Sequence, residues 1–191
     1  MNLSGHQERV DRCLKSYNSE GNLSLLKLID RSIIPPKGVY KLRIQYDADK
    51  IAITNVKCHA YKEKAINSLS LAHVRSIEYI HKSEDRTVLD LAYAQRGKSD
   101  DVIIVNNGKL TDTWYCNIAL FDGQKWFTPK FCLLPGTMRK RLIEKDILEE
   151  RDIQFTDLQD YQKVRLFNAM IPWSRKKDID LKDCFIKNEH H

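Results

Sequence analysis

Hydrophobic positions along the chain change period several times, and each change predicts a new element. Val10, Leu14 and Tyr17 recur at helical intervals, and Ser4 with Gln7 has capping-box spacing, so residues 4–17 read as an amphipathic helix. A second short helix is expected over residues 23–29, ending before Pro35 and Pro36, which cannot continue it. Residues 39–46 then alternate apolar and polar side chains, as do residues 50–56, and the two together predict a β-hairpin. Residues 69–81 are ambiguous, with a strand expected around residues 77–80. Residues 85–96 return to helical spacing through Val88, Leu89, Leu91 and Ala92, and stop at Gly97.

The second half is richer in strands. Residues 102–105 lead into the turn Asn106-Asn107-Gly108, and residues 117–121 and 124–127 flank Asp122-Gly123, a strong hairpin signal. A helix is expected over residues 137–150, followed by strand-like 153–155 and 164–167. This order predicts an α/β (mixed α+β) protein of two lobes. The small N-terminal α/β lobe is expected over residues 1–75 and the larger, strand-rich lobe over 76–191.

At 191 residues the chain can bury a sizeable core, and 42% hydrophobic with 30% charged residues is the balance of a globular protein. No apolar stretch reaches the length of a membrane span and no signal-peptide layout follows Met1, so a cytoplasmic protein without a membrane partner is expected. Five scattered cysteines without a CxxC pair read as reduced thiols, with no metal site. The net charge of +6 comes without a stripe of basic and aromatic residues, which argues against nucleic acid and suits a small anionic substrate. His190 and His191 are set aside as tag-like.

Four features could carry chemistry. Lys82 stands at the edge of an alternating segment, where a lysine is ordinarily a solvated strand end. Asp112 follows a turn, where a carboxylate commonly bonds local amides. Leu133-Leu134-Pro135-Gly136-Thr137 opens a helix, the layout of a phosphate site but more often plain capping. Asn168-Ala169-Met170 follows a strand and says little alone. Taken singly, each favours the structural explanation by roughly three to one.

Their order changes that balance. Tyr79-Ile80-His81-Lys82, Asp100 through Gly108, Leu110-Thr111-Asp112, Asn117-Ile118, Phe127-Thr128-Pro129, Leu134 through Arg139 and Phe167 through Pro172 together resemble the class-IV aminotransferase family. His6-Gln7-Glu8-Arg9-Val10 is similar to that family's His-x-x-Arg helix motif. The resemblance covers nearly the whole chain and is densest over residues 79–172. It implies the two-lobed fold type IV of pyridoxal-phosphate enzymes, normally a homodimer.

By the same resemblance, Lys82 forms the Schiff base with pyridoxal 5'-phosphate and, once displaced, shuttles the proton of the substrate carbon. Asp112 stands where the family usually carries glutamate and pairs with the pyridine nitrogen. Gly136 and Thr137 receive the phosphate, with Arg9 as a forked cationic partner. Asn117, Asn168 and Ala169 fall at positions used around the cofactor. Arg43, Arg86 and Arg165 are weaker candidates for a substrate carboxylate. The family normally begins with a strand-turn-strand unit ahead of the His-x-x-Arg helix, and here that unit is expected to be missing.

Two chemistries fit the resemblance. The sequence around residues 167–172 is more similar to 4-amino-4-deoxychorismate lyase, which eliminates pyruvate to leave 4-aminobenzoate for folate synthesis. The alternative is a branched-chain or D-amino-acid aminotransferase. A non-catalytic cofactor-binding or interaction protein is the reading from another class.

Overall fold

The computed structural model describes residues 2–29, 35, 37–175 and 177–185; Pro36, His190 and His191 lie outside them. The chain divides into the units Met1–Glu63 and Lys64–His191. The division precedes residues 69–74, which the sequence placed in the first lobe, because that segment pairs within the larger sheet.

In the first unit, α1 (Leu3–Ser16) begins earlier than the capping-box spacing implied. Asn2 is the cap, its side chain accepting from the Gly5 amide at 3.3 Å, while Ser4 Oγ donates to the same carboxamide. Helix α2 (Leu25–Leu28) is a single turn. Gln7 fastens it to α1, donating to Leu23 O at 2.9 Å and accepting from Leu25 N at 2.8 Å. The expected hairpin is present as β1 (Tyr40–Asp47) and β2 (Ala52–Ala60), antiparallel with a bulge between Gln45 and Tyr46. Val10, Leu14, Leu23 and Leu25 form the buried centre, against Ile44, Tyr46, Ile51 and Ile53.

The second unit is built on β3 (Leu69–Val74), α3 (Thr87–Ala94), β4 (Asp101–Asn106), β5 (Lys109–Thr113) and β6 (Asn117–Phe121). It continues through β7 (Trp126–Pro129), α4 (Thr137–Ile143), β8 (Glu149–Arg151), β9 (Lys163–Phe167), β10 (Asp178–Asp180) and α5 (Leu181–Cys184). Eight strands join in the order β10-β9-β6-β5-β4-β3, with β7 on β6 and β8 on β7. The β3–β4 and β7–β8 pairs are parallel and the others antiparallel.

Both faces of β4 are covered, as its unbroken apolar run requires. Ile103 and Val105 pack with Leu110, Ile118, Leu120 and Val164. Val102 and Ile104 pack with Tyr79, Leu89, Ala92 and Leu133. Strand β6 is a fork: β9 lies along it, Asp112 of β5 pairs Asn117 at its start, and β7 takes over at Leu120 and Phe121. The chain from Pro129 to α4 re-enters this split.

The strand expected over residues 77–80 does not form. Asn106 occupies both backbone groups of Ile77, accepting from its N–H at 3.2 Å and donating to its C=O at 3.1 Å. Ser76 sits at a φ of 58°. A residue whose backbone is taken by one side chain has nothing left for a ladder.

The helix expected to reach residue 150 stops at Ile143, and residues 149–151 become β8. Ile153 is buried ahead of a 3₁₀ turn, Phe155–Asp160, where a strand was expected. Strand β10 and helix α5 had no counterpart in the sequence reading. Among the described residues no helix is long and apolar enough to cross a membrane, and no three His, Cys, Asp or Glu side chains are placed to hold a metal.

Candidate active site

At the fork of β6, Asp112 is almost fully buried, and both its oxygens are occupied. Oδ1 accepts from Asn117 Nδ2 at 2.8 Å and Oδ2 from the Leu134 amide at 2.8 Å. Asn117 Nδ2 also donates to Leu134 O at 2.9 Å. One strand residue, its cross-strand neighbour and one loop residue thus fix each other. The carboxylate cannot turn without breaking a bond in a buried place.

Gly136 completes the corner. A Cβ built there would stand 2.0 Å from Asn117 Oδ1, so only glycine leaves room for the carboxamide. Its φ of −66° is ordinary, which makes the requirement steric. Thr137, the first residue of α4, is buried behind it. Because α4 has seven residues, its dipole is modest, and an anion here depends more on nearby N–H groups and cations.

Asn168 follows β9 and is already engaged. Its Oδ1 accepts from Met170 N at 2.8 Å and Ile171 N at 3.0 Å, and its Nδ2 faces Tyr115 O and Cys116 Sγ. It therefore ties β9 to the β5–β6 turn and leaves Ala169 exposed at the tip.

Lys82 lies on the irregular stretch between β3 and α3, with an exposed side chain. Tyr79 and Ile77 anchor that stretch in the apolar cluster that also holds Leu133 and Leu134. Asp112, Asn117, Gly136 and Thr137 therefore come together around the Leu134 loop. Arg9 and Arg43 belong to the first unit: Arg9 Nη2 contacts His6 Nδ1 at 3.0 Å, and Arg43 is exposed on β1.

Two of the arginines have other tasks. Arg86 Nη2 donates to Trp114 O at 2.5 Å with its guanidinium over that ring, so it clamps the β5–β6 turn. Arg165 is buried, donates twice to Asp178 at 2.5 and 2.9 Å, and lies between Trp126 and Trp173. A guanidinium paired in this way has little charge to offer a substrate. The sequence reading missed Asp101 and Arg139, both buried near this corner. Asp101 Oδ1 accepts from Val102 N; Thr113 and the Trp114 amide face the carboxyl without closing a bond on Oδ2.

Burial raises the Asp112 carboxyl from 3.8 to about 6, while the Leu134 amide, Asn117 and Arg139 pull it back. A carboxyl raised in the folded state binds its proton more tightly than the unfolded chain does. Its stabilising contribution is therefore full below about pH 4 and is lost as pH rises to about 6, on the order of 3 kcal/mol. Asp112→Asn is expected to flatten that part of the stability profile of the cofactor-free protein. Urea unfolding from about pH 4 to 7 measures it, and parallel curves for the two proteins would refute the linkage.

Asp112, Asn117, Leu134 and Gly136 thus form one tightly fitted corner. Residues 35–179 match the class IV amino-transferase family, and the chain belongs to it. It is accordingly a pyridoxal-phosphate-dependent lyase or aminotransferase, with a mixed α+β fold of type IV.

An uncharacterized protein of Haemophilus influenzae is 30% identical over 172 residues, covering 88% of this chain and 90% of its own. The crystal structure of a candidate 4-amino-4-deoxychorismate lyase from Haemophilus somnus is similar, with a TM-score of 0.82 and 29% identity over 90% of each chain. The fold also matches a hypothetical aminotransferase from Mycobacterium tuberculosis in its PLP-bound form. That match has a TM-score of 0.73 and 16% identity, covering 90% of this chain and 73% of the other.

Proposed function

We propose that the protein is a lyase that eliminates pyruvate from 4-amino-4-deoxychorismate to give 4-aminobenzoate. The observation that carries the cofactor half of this reading is the buried Asp112, locked by Asn117 and Leu134. The lyase half is supported by the likeness to the Haemophilus somnus structure over nine-tenths of the chain. Pyridoxal phosphate, when bound, supplies an aldehyde for amine capture and a ring that withdraws electrons from the carbon beside the substrate nitrogen.

This chain's residues divide the remaining work. Lys82 would hold the cofactor by its amine and, as a free amine, would take and return a proton at the substrate carbon. Asp112, ionised above about pH 6, keeps a proton on the ring nitrogen. Asn117 and the Leu134 peptide keep that carboxylate from turning away. Gly136 and Thr137 would hold the phosphate, and Arg9, whose planar fork suits a phosphate, is the first unit's own candidate for an anion. Asn168 would steady the β5–β6 turn beside the cofactor, with Ala169 exposed next to it. Arg43 is the remaining candidate for a substrate carboxylate.

A homodimer accompanies this reading, and the exposed Ile80 and Leu91 are apolar side chains that a second copy could cover. Aminotransferase chemistry is the second reading, favoured by the family description itself.

Purified protein loaded with pyridoxal phosphate is expected to release pyruvate from aminodeoxychorismate with no keto acid added. Lactate dehydrogenase coupling measures it directly. Turnover that appears only when a keto-acid acceptor is supplied would overturn the lyase assignment in favour of the transferase.

A further inference from the structure

Arg139 is a cation in an unusual place. It sits in the first turn of α4, the end of a helix where positive charge is disfavoured, and yet it is buried. Its Nη2 donates to Pro129 O at 2.8 Å and to Glu150 Oε1 at 2.6 Å, which ties α4 to the ends of β7 and β8. Nε is buried with no hydrogen-bond partner. Glu150 is 43% exposed, so water screens that ion pair.

On the other side, the Arg139 Cβ lies 3.8 Å from the point a Gly136 Cβ would occupy. The link to Asp112 runs through the loop between β7 and α4: Arg139 holds its start at Pro129 O, and the Leu134 amide within it caps the carboxylate. A bolt between helix and strands would need neither a full charge at this end of α4 nor an unsatisfied Nε. Compensation of a buried carboxylate accounts for the charge.

We propose that Arg139 is a positioning residue for Asp112, anchoring the loop that caps this carboxylate and supplying the charge that offsets its burial. The inference rests on Asp112 being the group that meets the cofactor ring nitrogen. Titratable groups on the elements around it include two thiols and two carboxyls. Cys116 on the β5–β6 turn and Cys132 after β7 are thiols pushed up by burial, Cys132 to about 11. Asp101, at the start of β4 and acting on Cys116, is a carboxyl also raised by burial. Glu150 opposes Arg139 from β8. Arg139 itself acts on both Asp112 and Cys132.

The test is titration of ¹³C-aspartate-labelled full-length protein without cofactor, the Asp112 resonance being identified by its loss in Asp112→Asn. Arg139→Gln is expected to raise the Asp112 midpoint by about one pH unit or more, and Arg139→Lys to hold it near the parent value. Glu150→Gln breaks the same anchor but removes an opposing charge, so it is expected to lower the midpoint. A merely structural role would move melting temperatures and leave every midpoint in place, and that pattern overturns the proposal.

If Arg139→Gln does not fold, Glu150→Gln still decides, since an unmoved midpoint there is equally damaging. Borohydride fixation of the cofactor on Lys82 is scored separately. Midpoints that move as expected with Lys82 unlabelled would keep the Arg139–Asp112 pairing and remove the cofactor reading.

Discussion

A Lys82→Ala chain is expected to lose the visible absorbance band that forms with pyridoxal phosphate, and to lose activity by at least about a thousandfold. Its stability should not change. The Lys82 side chain is exposed, and its segment is held by the Tyr79 ring, whose hydroxyl donates to Ser83 O at 2.9 Å, and by Ile77 between the arms of Asn106. The lysine side chain is exposed, so removing it opens no core. Borohydride reduction followed by peptide mapping gives the complementary result, a label on Lys82 and nowhere else. An unchanged band in the alanine protein would remove the lysine from its proposed role.

Gly136→Ala is expected to be the most damaging single-methyl change at the site. A contact of 2.0 Å is far inside van der Waals range, and it meets the buried carboxamide of Asn117. Either the α4 entrance or the carboxamide must move. Both movements break the bonds from Asn117 to Asp112 and to Leu134, leaving Asp112 underserved in a buried place.

The expected loss is about 2–4 kcal/mol of stability, with cofactor affinity falling at least about tenfold. Placing the change in an Asn117→Ala background tests the cause. There the methyl enters vacated space, so most of its extra cost should vanish, which a double-mutant cycle in urea detects. Additive losses would show that the glycine serves something other than Asn117.

How far the sequence anticipated this molecule depends on where each interaction partner lies along the chain. The β1–β2 hairpin was legible because alternation and a local turn are written in adjacent residues. The segment 77–80 alternates just as well, but its fate is decided by Asn106, twenty-nine residues away. Helix α4 was read too long because apolar residues continue past Ile143, while Leu148 packs against Phe167 in a different direction.

The site shows the same division. Asp112, Asn117 and Gly136 could be named from motif order, yet the Leu134 amide that holds Asp112 is backbone and carries no residue signature. Arg139 stood inside a quoted motif without a partner in view. Arg165 looked available because Asp178, thirteen residues on, gives no periodic sign that it will pair with it.

The parallel pairing of β3 with β4 has a consequence for how the protein matures. Parallel neighbours cannot be joined by a tight turn, so the chain must travel back along the sheet, and Lys82 rides on that return with α3. On the proposed reading, the Lys82 amine therefore reaches its station only after a long-range closure that is among the slower steps available to a small protein. Newly synthesised chains should gain the capacity to capture cofactor late, after most of their secondary structure has formed. Cofactor capture would then serve as a clock for the last stage of folding.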